Sequence, residues 1–164
     1  MSGFSGDIEK SGAPMHSKRV ARELAMEFLF SCELQEEIPG VANFEQFLET
    51  ARDEFQMKDN RQARRAEEYA RKLYECVTLE RDNIDEIIIR YCENWAWERL
   101  SYVDRNIMRV AVAEMRSFPE VPMIVSIDEA VEIARDFSGG EAGNFINGVL
   151  NAIKNREFTD VDKK

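Results

Sequence analysis

Histidine is almost absent: His16 is the one imidazole in 164 residues, and it lies in a polar N-terminal stretch. Acid–base chemistry near neutral pH therefore has little to work with. Cysteine is scarce as well. Cys32, Cys76 and Cys92 are odd in number, far apart and never arranged as Cys-x-x-Cys. That excludes a cysteine-paired zinc site, and the three read as small buried hydrophobes in a reducing compartment. There is no glycine-rich phosphate loop, no nucleophile beside a base, no pair of carboxylates and no metal-ligand spacing. Neither catalysis nor a metal or cofactor is expected. No apolar run approaches the roughly 20 residues that span a bilayer, and the first residues lack the apolar segment of a signal peptide. A cytoplasmic protein is expected. Strand patterning is missing too, because no segment alternates apolar and polar residues convincingly.

Helical periodicity fills the space left by these absences. Val20, Ala21, Leu24, Ala25, Phe28 and Cys32 fall on one face of a first helix. Pro39-Gly40 then breaks the chain. Phe44, Phe47, Leu48, Ala51 and Phe55 form a second stripe, and Tyr69, Leu73, Cys76 and Val77 a third. Ile84, Ile87, Ile88 and Tyr91 form a fourth. After a bulky junction at Asn94 to Trp97, Val103, Ile107, Val110, Ala111 and Met115 form a fifth. Pro119 and Pro122 bracket a turn, since neither can continue a helix. The predicted fold class is all-α, a helical bundle. Residues 1–16 read as a disordered tail, 17–157 as one helical domain and 158–164 as a short flexible tail. A chain of this length buries about 70% of the surface it exposes when unfolded, so no staple is required.

The last third is the most heavily patterned. Ile127, Ala130, Val131, Ala134 and Phe137 share a helical face. Ser126 stands three residues before Glu129, the spacing of a capping box that would start this helix. Gly139-Gly140 would stop it. Phe145, Val149 and Ile153 carry a final helix with Gly148 inside it. A helical glycine costs about 1 kcal/mol relative to alanine, which points to a close backbone contact there.

Net charge is −10, which taken alone opposes nucleic acid. Its distribution is uneven. Lys18, Arg19 and Arg22 stand without an acid between His16 and Arg22. Arg61, Arg64, Arg65, Arg71 and Lys72 face only Glu67 and Glu68, which lie within i,i+3 and i,i+4 reach and can neutralise part of that cluster. The stretch from Glu33 to Glu54 holds seven acids and one base. A basic patch on an acidic remainder suits phosphate at one place and a basic protein at another.

Three stretches, in order, resemble one family. They are Ala21 to Phe30, then Tyr102 to Met115 with Val121-Pro122, then Val125 to Phe137 followed by Phe145 to Leu150. Together they resemble the NusB family of RNA-binding transcription antitermination factors, from about Lys18 to Asn155. The resemblance implies two small helical bundles packed together, the second starting near the Ile84 stripe. It implies binding of a boxA-like single-stranded RNA together with NusE, a small-subunit ribosomal protein, within an RNA polymerase antitermination complex.

Residue by residue, the resemblance puts RNA at Lys18, Arg19 and Arg22, where the family's arginine run is often longer, and at Asn144 and Phe145. It puts the protein partner at Asp104, Arg105 and Glu141, on the surface that also includes Arg109. The residues alone also allow a solvated helix end at Lys18 to Arg22, an Asp104 ion pair with Arg105 or Arg99, and a core role for Phe145. Two other functions compete. One is a helical adaptor for proteins only. The other is a stand-alone relative of the NusB-like domain found in ribosomal RNA methyltransferases, although this chain has no room for a methyl-donor-binding fold.

Overall fold

The computed structural model describes residues 14–55, 61–92 and 97–158. Among them are seven α-helices: α1 (Pro14–Leu34), α2 (Val41–Phe55), α3 (Arg61–Leu79), α4 (Arg81–Tyr91), α5 (Tyr102–Ser117), α6 (Met123–Ser138) and α7 (Gly140–Glu157). A single 3-10 turn, Trp97–Arg99, precedes α5. No strand occurs among the described residues. Each helix carries one of the seven apolar stripes. α1 starts at Pro14, where proline is tolerated in a first turn. Residues 1–13 and 159–164, and the Asn94 to Ala96 part of the junction, lie outside the described residues. The chain divides into two compact units between Glu75 and Cys76, so the second begins before the Ile84 stripe.

In the first unit, aromatic rings fill the space between helices. Phe28 on α1 meets Phe44 edge-on at 5.1 Å and Tyr74 edge-on at 4.9 Å, while Phe44 and Tyr74 stack at 4.7 Å. Such pairs add about 0.5–1.5 kcal/mol each beyond the area they bury. Burial also lifts the Tyr74 hydroxyl above its ordinary pKa. The stripe assigned to Tyr69 is carried by Tyr74 instead, and Tyr69 is half-buried. Ala63, Ala66 and Ala70 are buried on α3, where small side chains let a neighbouring helix approach.

The second unit is built on α5. Every residue from Asn106 to Met115 is buried, on all sides of the helix. Two polar groups in it find partners far away in sequence. The Arg109 guanidinium donates Nε and Nη2 to the two oxygens of Asp85 on α4, at 2.7 and 3.0 Å. It also donates Nη1 to Asn106 Oδ1 at 2.9 Å and lies 5.2 Å from the centre of the Trp97 ring. The Ser126 hydroxyl donates to Glu114 Oε1 at 2.5 Å. This corrects the capping-box expectation. α6 starts at Met123 with Pro122 at its cap, Ser126 lies one turn inside, and its hydroxyl ties α6 to α5. Near the far end of the chain, the Tyr91 hydroxyl donates to Glu157 Oε2 at 2.6 Å. That bond, then Arg90, holds the Glu157 carboxyl below its ordinary pKa.

Glycine positions also depart from expectation. Gly139 closes α6 at φ +100°, as the Gly-Gly pair predicts. Gly148 has open space where a Cβ would stand, so no close contact explains it. The crowded glycine is Gly143. A Cβ there would lie 2.8 Å from Arg135 Cγ and 3.4 Å from the Val131 carbonyl oxygen. Gly148→Ala is therefore expected to stabilise by up to about 1 kcal/mol. Gly143→Ala should fall short of it by about 1–3 kcal/mol, the usual cost of overpacking. Urea denaturation of both variants checks this, and equal midpoints would contradict it.

Candidate nucleic-acid interface

The basic segment of α1 lies inside the helix, in its second and third turns, and its three cations have different fates. Lys18 is exposed. Arg19 Nε donates to Glu23 Oε1 at 3.0 Å, and its side chain is only 17% accessible. Arg22 is buried, at 4%. The expectation of three extended cations is thus corrected: Lys18 is the solvent-facing one. The reason is local. Residues 20 to 29 are all buried, so a helical face that looks polar in the sequence is covered as well. The Lys18 ammonium stands 5.6 Å from the centre of the Tyr69 ring on α3, within cation–π range.

The α3 cluster is sorted as cleanly. Glu67 does not neutralise its helix neighbours. It is buried and receives a two-pronged bond from Arg52 on α2, with Nε to Oε2 at 2.8 Å. Arg71 pairs with Glu45 at 2.5 Å and lies over the Phe44 ring at 5.1 Å. Arg61, Arg64, Arg65 and Lys72 are exposed, as is Glu68.

The remaining predicted positions belong to the second unit. Asn144 is exposed and Phe145 half-buried, both in the second turn of α7. Glu141 is exposed in its first turn. Asp104 is held from two sides. Its backbone N–H donates to the capping Ser101 hydroxyl at 3.0 Å, and its Oδ1 accepts from the Ser138 hydroxyl at 2.9 Å. The partner found for Asp104 is therefore Ser138 rather than an arginine. This bond sets Asp104 beside the Gly139 corner from which Glu141 and Asn144 extend. Arg105 is occupied differently. It donates Nε and Nη2 to the Trp97 carbonyl at 3.1 and 2.7 Å, and lies over the Trp97 and Tyr102 rings at 4.8 and 5.3 Å. Arg109 is buried and belongs to the core rather than to a surface.

A groove near the α5–α6 turn is lined by Met115, Arg116, Pro119, Val121, Pro122, Met123, Ile124 and Lys154. Its lining is mostly apolar, with Arg116 and Lys154 as its charged side chains. Among the described residues no group of acids, cysteines or histidine could hold a metal, and no helix is long and apolar enough to cross a membrane. None of the three cysteines forms a disulfide; Cys32 and Cys92 are buried and Cys76 is half-buried. Burial raises the Cys92 thiol above its ordinary pKa, which makes it less reactive.

The sequence matches the NusB family over residues 19–155. The chain belongs to the NusB family. It is 34% identical over 139 residues to the transcription antitermination protein NusB of Myxococcus xanthus, covering 85% of this chain and 95% of that one. The solved structure of T. maritima NusB is similar at a TM-score of 0.72 and 32% identity, across 88% of this chain and 95% of that one. A structure of antitermination factors NusB and NusE in complex with dsRNA matches at a TM-score of 0.67 and 29% identity, across 85% of this chain and 96% of its counterpart. The NusB family comprises transcription antitermination factors and not enzymes.

Tyr69 is the residue that sequence reasoning missed. Its place in an apolar stripe marked it as core. Its 51-residue separation from Lys18 left no local signal of their contact.

Proposed function

We propose that this chain is an RNA-binding antitermination factor. It binds a boxA-like single-stranded element of a ribosomal RNA leader together with NusE. The complex then joins RNA polymerase and supports ribosomal RNA transcription in the cytoplasm. The observation that carries this reading is the near-full-length likeness to a NusB captured with NusE and RNA. On this chain, Lys18 offers phosphate an exposed cation, with Arg19 and Arg22 behind it. Asn144 and Phe145 offer a polar and an aromatic contact at the start of α7. Asp104 and Glu141 are acids suited to a basic partner, with Arg105 beside them.

A protein-only adaptor is the second reading, favoured by the charge of −10 and by the burial of two of the three α1 cations. Fluorescence polarisation of a boxA RNA separates the two. The expected result is weak binding by the chain alone and clear binding with NusE. No RNA binding in either condition would leave the adaptor.

A further inference from the structure

We infer that the RNA surface of the first unit continues from α1 onto the exposed face of α3, through Lys18, Arg65, Lys72 and Arg61. This rests on the RNA-binding reading above and extends it. On a helix, Tyr69 neighbours Arg65 four residues before it and Lys72 three residues after it. The Lys18 ammonium sits over that same ring at 5.6 Å. One half-buried aromatic therefore seats a cation from α1 between two cations of α3. Arg61 lies one turn before Arg65 and lengthens the strip, which runs about 16 Å from Arg61 to Lys72 at 1.5 Å per residue.

The cluster's other charges explain why this strip faces solvent. Arg71 is spent on Glu45 and Phe44, and Glu67 is withdrawn into the core by Arg52. Arg61, Arg65 and Lys72 stay exposed. Exposed Glu68 and Glu75 subtract two charges from the face and exposed Arg64 adds one, against Lys18, Arg61, Arg65 and Lys72. The balance is positive on a molecule of net charge −10, so a phosphate backbone is the ligand that fits. Such contacts carry no base preference; they hold the strand beyond its specific element.

The test uses the full chain with saturating NusE and two RNAs, the boxA-like element alone and the same element extended by flanking nucleotides. The variant is Arg61→Ala, Arg65→Ala and Lys72→Ala together. Wild type should bind the longer RNA several-fold more tightly than the shorter. The triple variant should lose that gain and bind the shorter RNA as before. Its salt slope on the longer RNA should fall by up to about 2, at roughly 0.7 per phosphate contact with a single strand. A second triple variant, Arg116→Ala, Lys154→Ala and Arg156→Ala, makes the same change in net charge elsewhere and should keep the gain. If the α3 triple variant misfolds, Lys72→Ala alone should still lower the slope by about 0.7. Unchanged affinity and slope in the α3 variants, with the short RNA still bound, would overturn the strip and leave the function standing. So would an equal loss in the control variant. Failure of wild type to bind either RNA would overturn both.

Discussion

Asp85→Ala should destabilise the second unit by about 3–5 kcal/mol, toward the low end because Asp85 is itself 20% accessible. The cost comes from what the substitution leaves behind. Arg109 is 1% exposed, and without Asp85 its guanidinium still meets Asn106 and the Trp97 ring, neither of which carries a negative charge. An arginine does not shed its proton at any ordinary pH, so the buried charge stays and loses the two-pronged carboxylate of Asp85. Thermal melting should record a fall of about 6–20 °C, taking 2–4 °C per kcal/mol for a chain of this size. Adding Arg109→Met to Asp85→Ala should recover most of the loss, because the buried charge then goes with its partner. A double variant no more stable than Asp85→Ala would show that packing at Arg109, and not its charge, is what α4 and α5 depend on.

That ion pair also shows where sequence reading stops. The seven helices were legible because apolar residues recur at helical spacing, and Pro39-Gly40 and Gly139-Gly140 mark real breaks. Periodicity treats each polar residue as solvent-facing. In α1 and α5 this fails. Arg22, Glu23, Asn106, Arg109 and Glu114 are all buried, and Arg109 and Glu114 meet partners 24 and 12 residues away. No local pattern encodes such pairs.

The same limit affected the candidate site. Lys18, Arg19 and Arg22 look equivalent in the sequence, yet their exposure depends on what packs around α1. The Ser126–Glu129 spacing satisfied a capping rule, but Pro122 caps α6 one turn earlier and Ser126 turns to Glu114. Gly148 and Gly143 show the reverse: an unremarkable glycine is the crowded one because Arg135 passes over it.

Reversing Asp104 to lysine should weaken NusE-assisted RNA binding while sparing RNA binding by the isolated chain. A protein of net charge −10 repels RNA at long range, whatever its local basic surface. A basic partner docked at Asp104 cancels part of that repulsion and brings cations of its own to the complex. The two ligands should then bind cooperatively, each tightening the other by the same factor. A coupling of about 1–3 kcal/mol corresponds to a gain of roughly 5- to 150-fold. Asp104 also accepts the Ser138 hydroxyl, so Asp104→Lys removes a local bond along with the charge. Ser138→Ala separates the two effects: it removes the same bond and leaves the carboxylate. Titrating NusE against a fixed boxA RNA at constant salt should show the gain intact in Ser138→Ala and largely lost in Asp104→Lys. Equal losses in both would assign the effect to the α5–α6 tether. No response of wild-type RNA affinity to saturating NusE would end the cooperative account altogether.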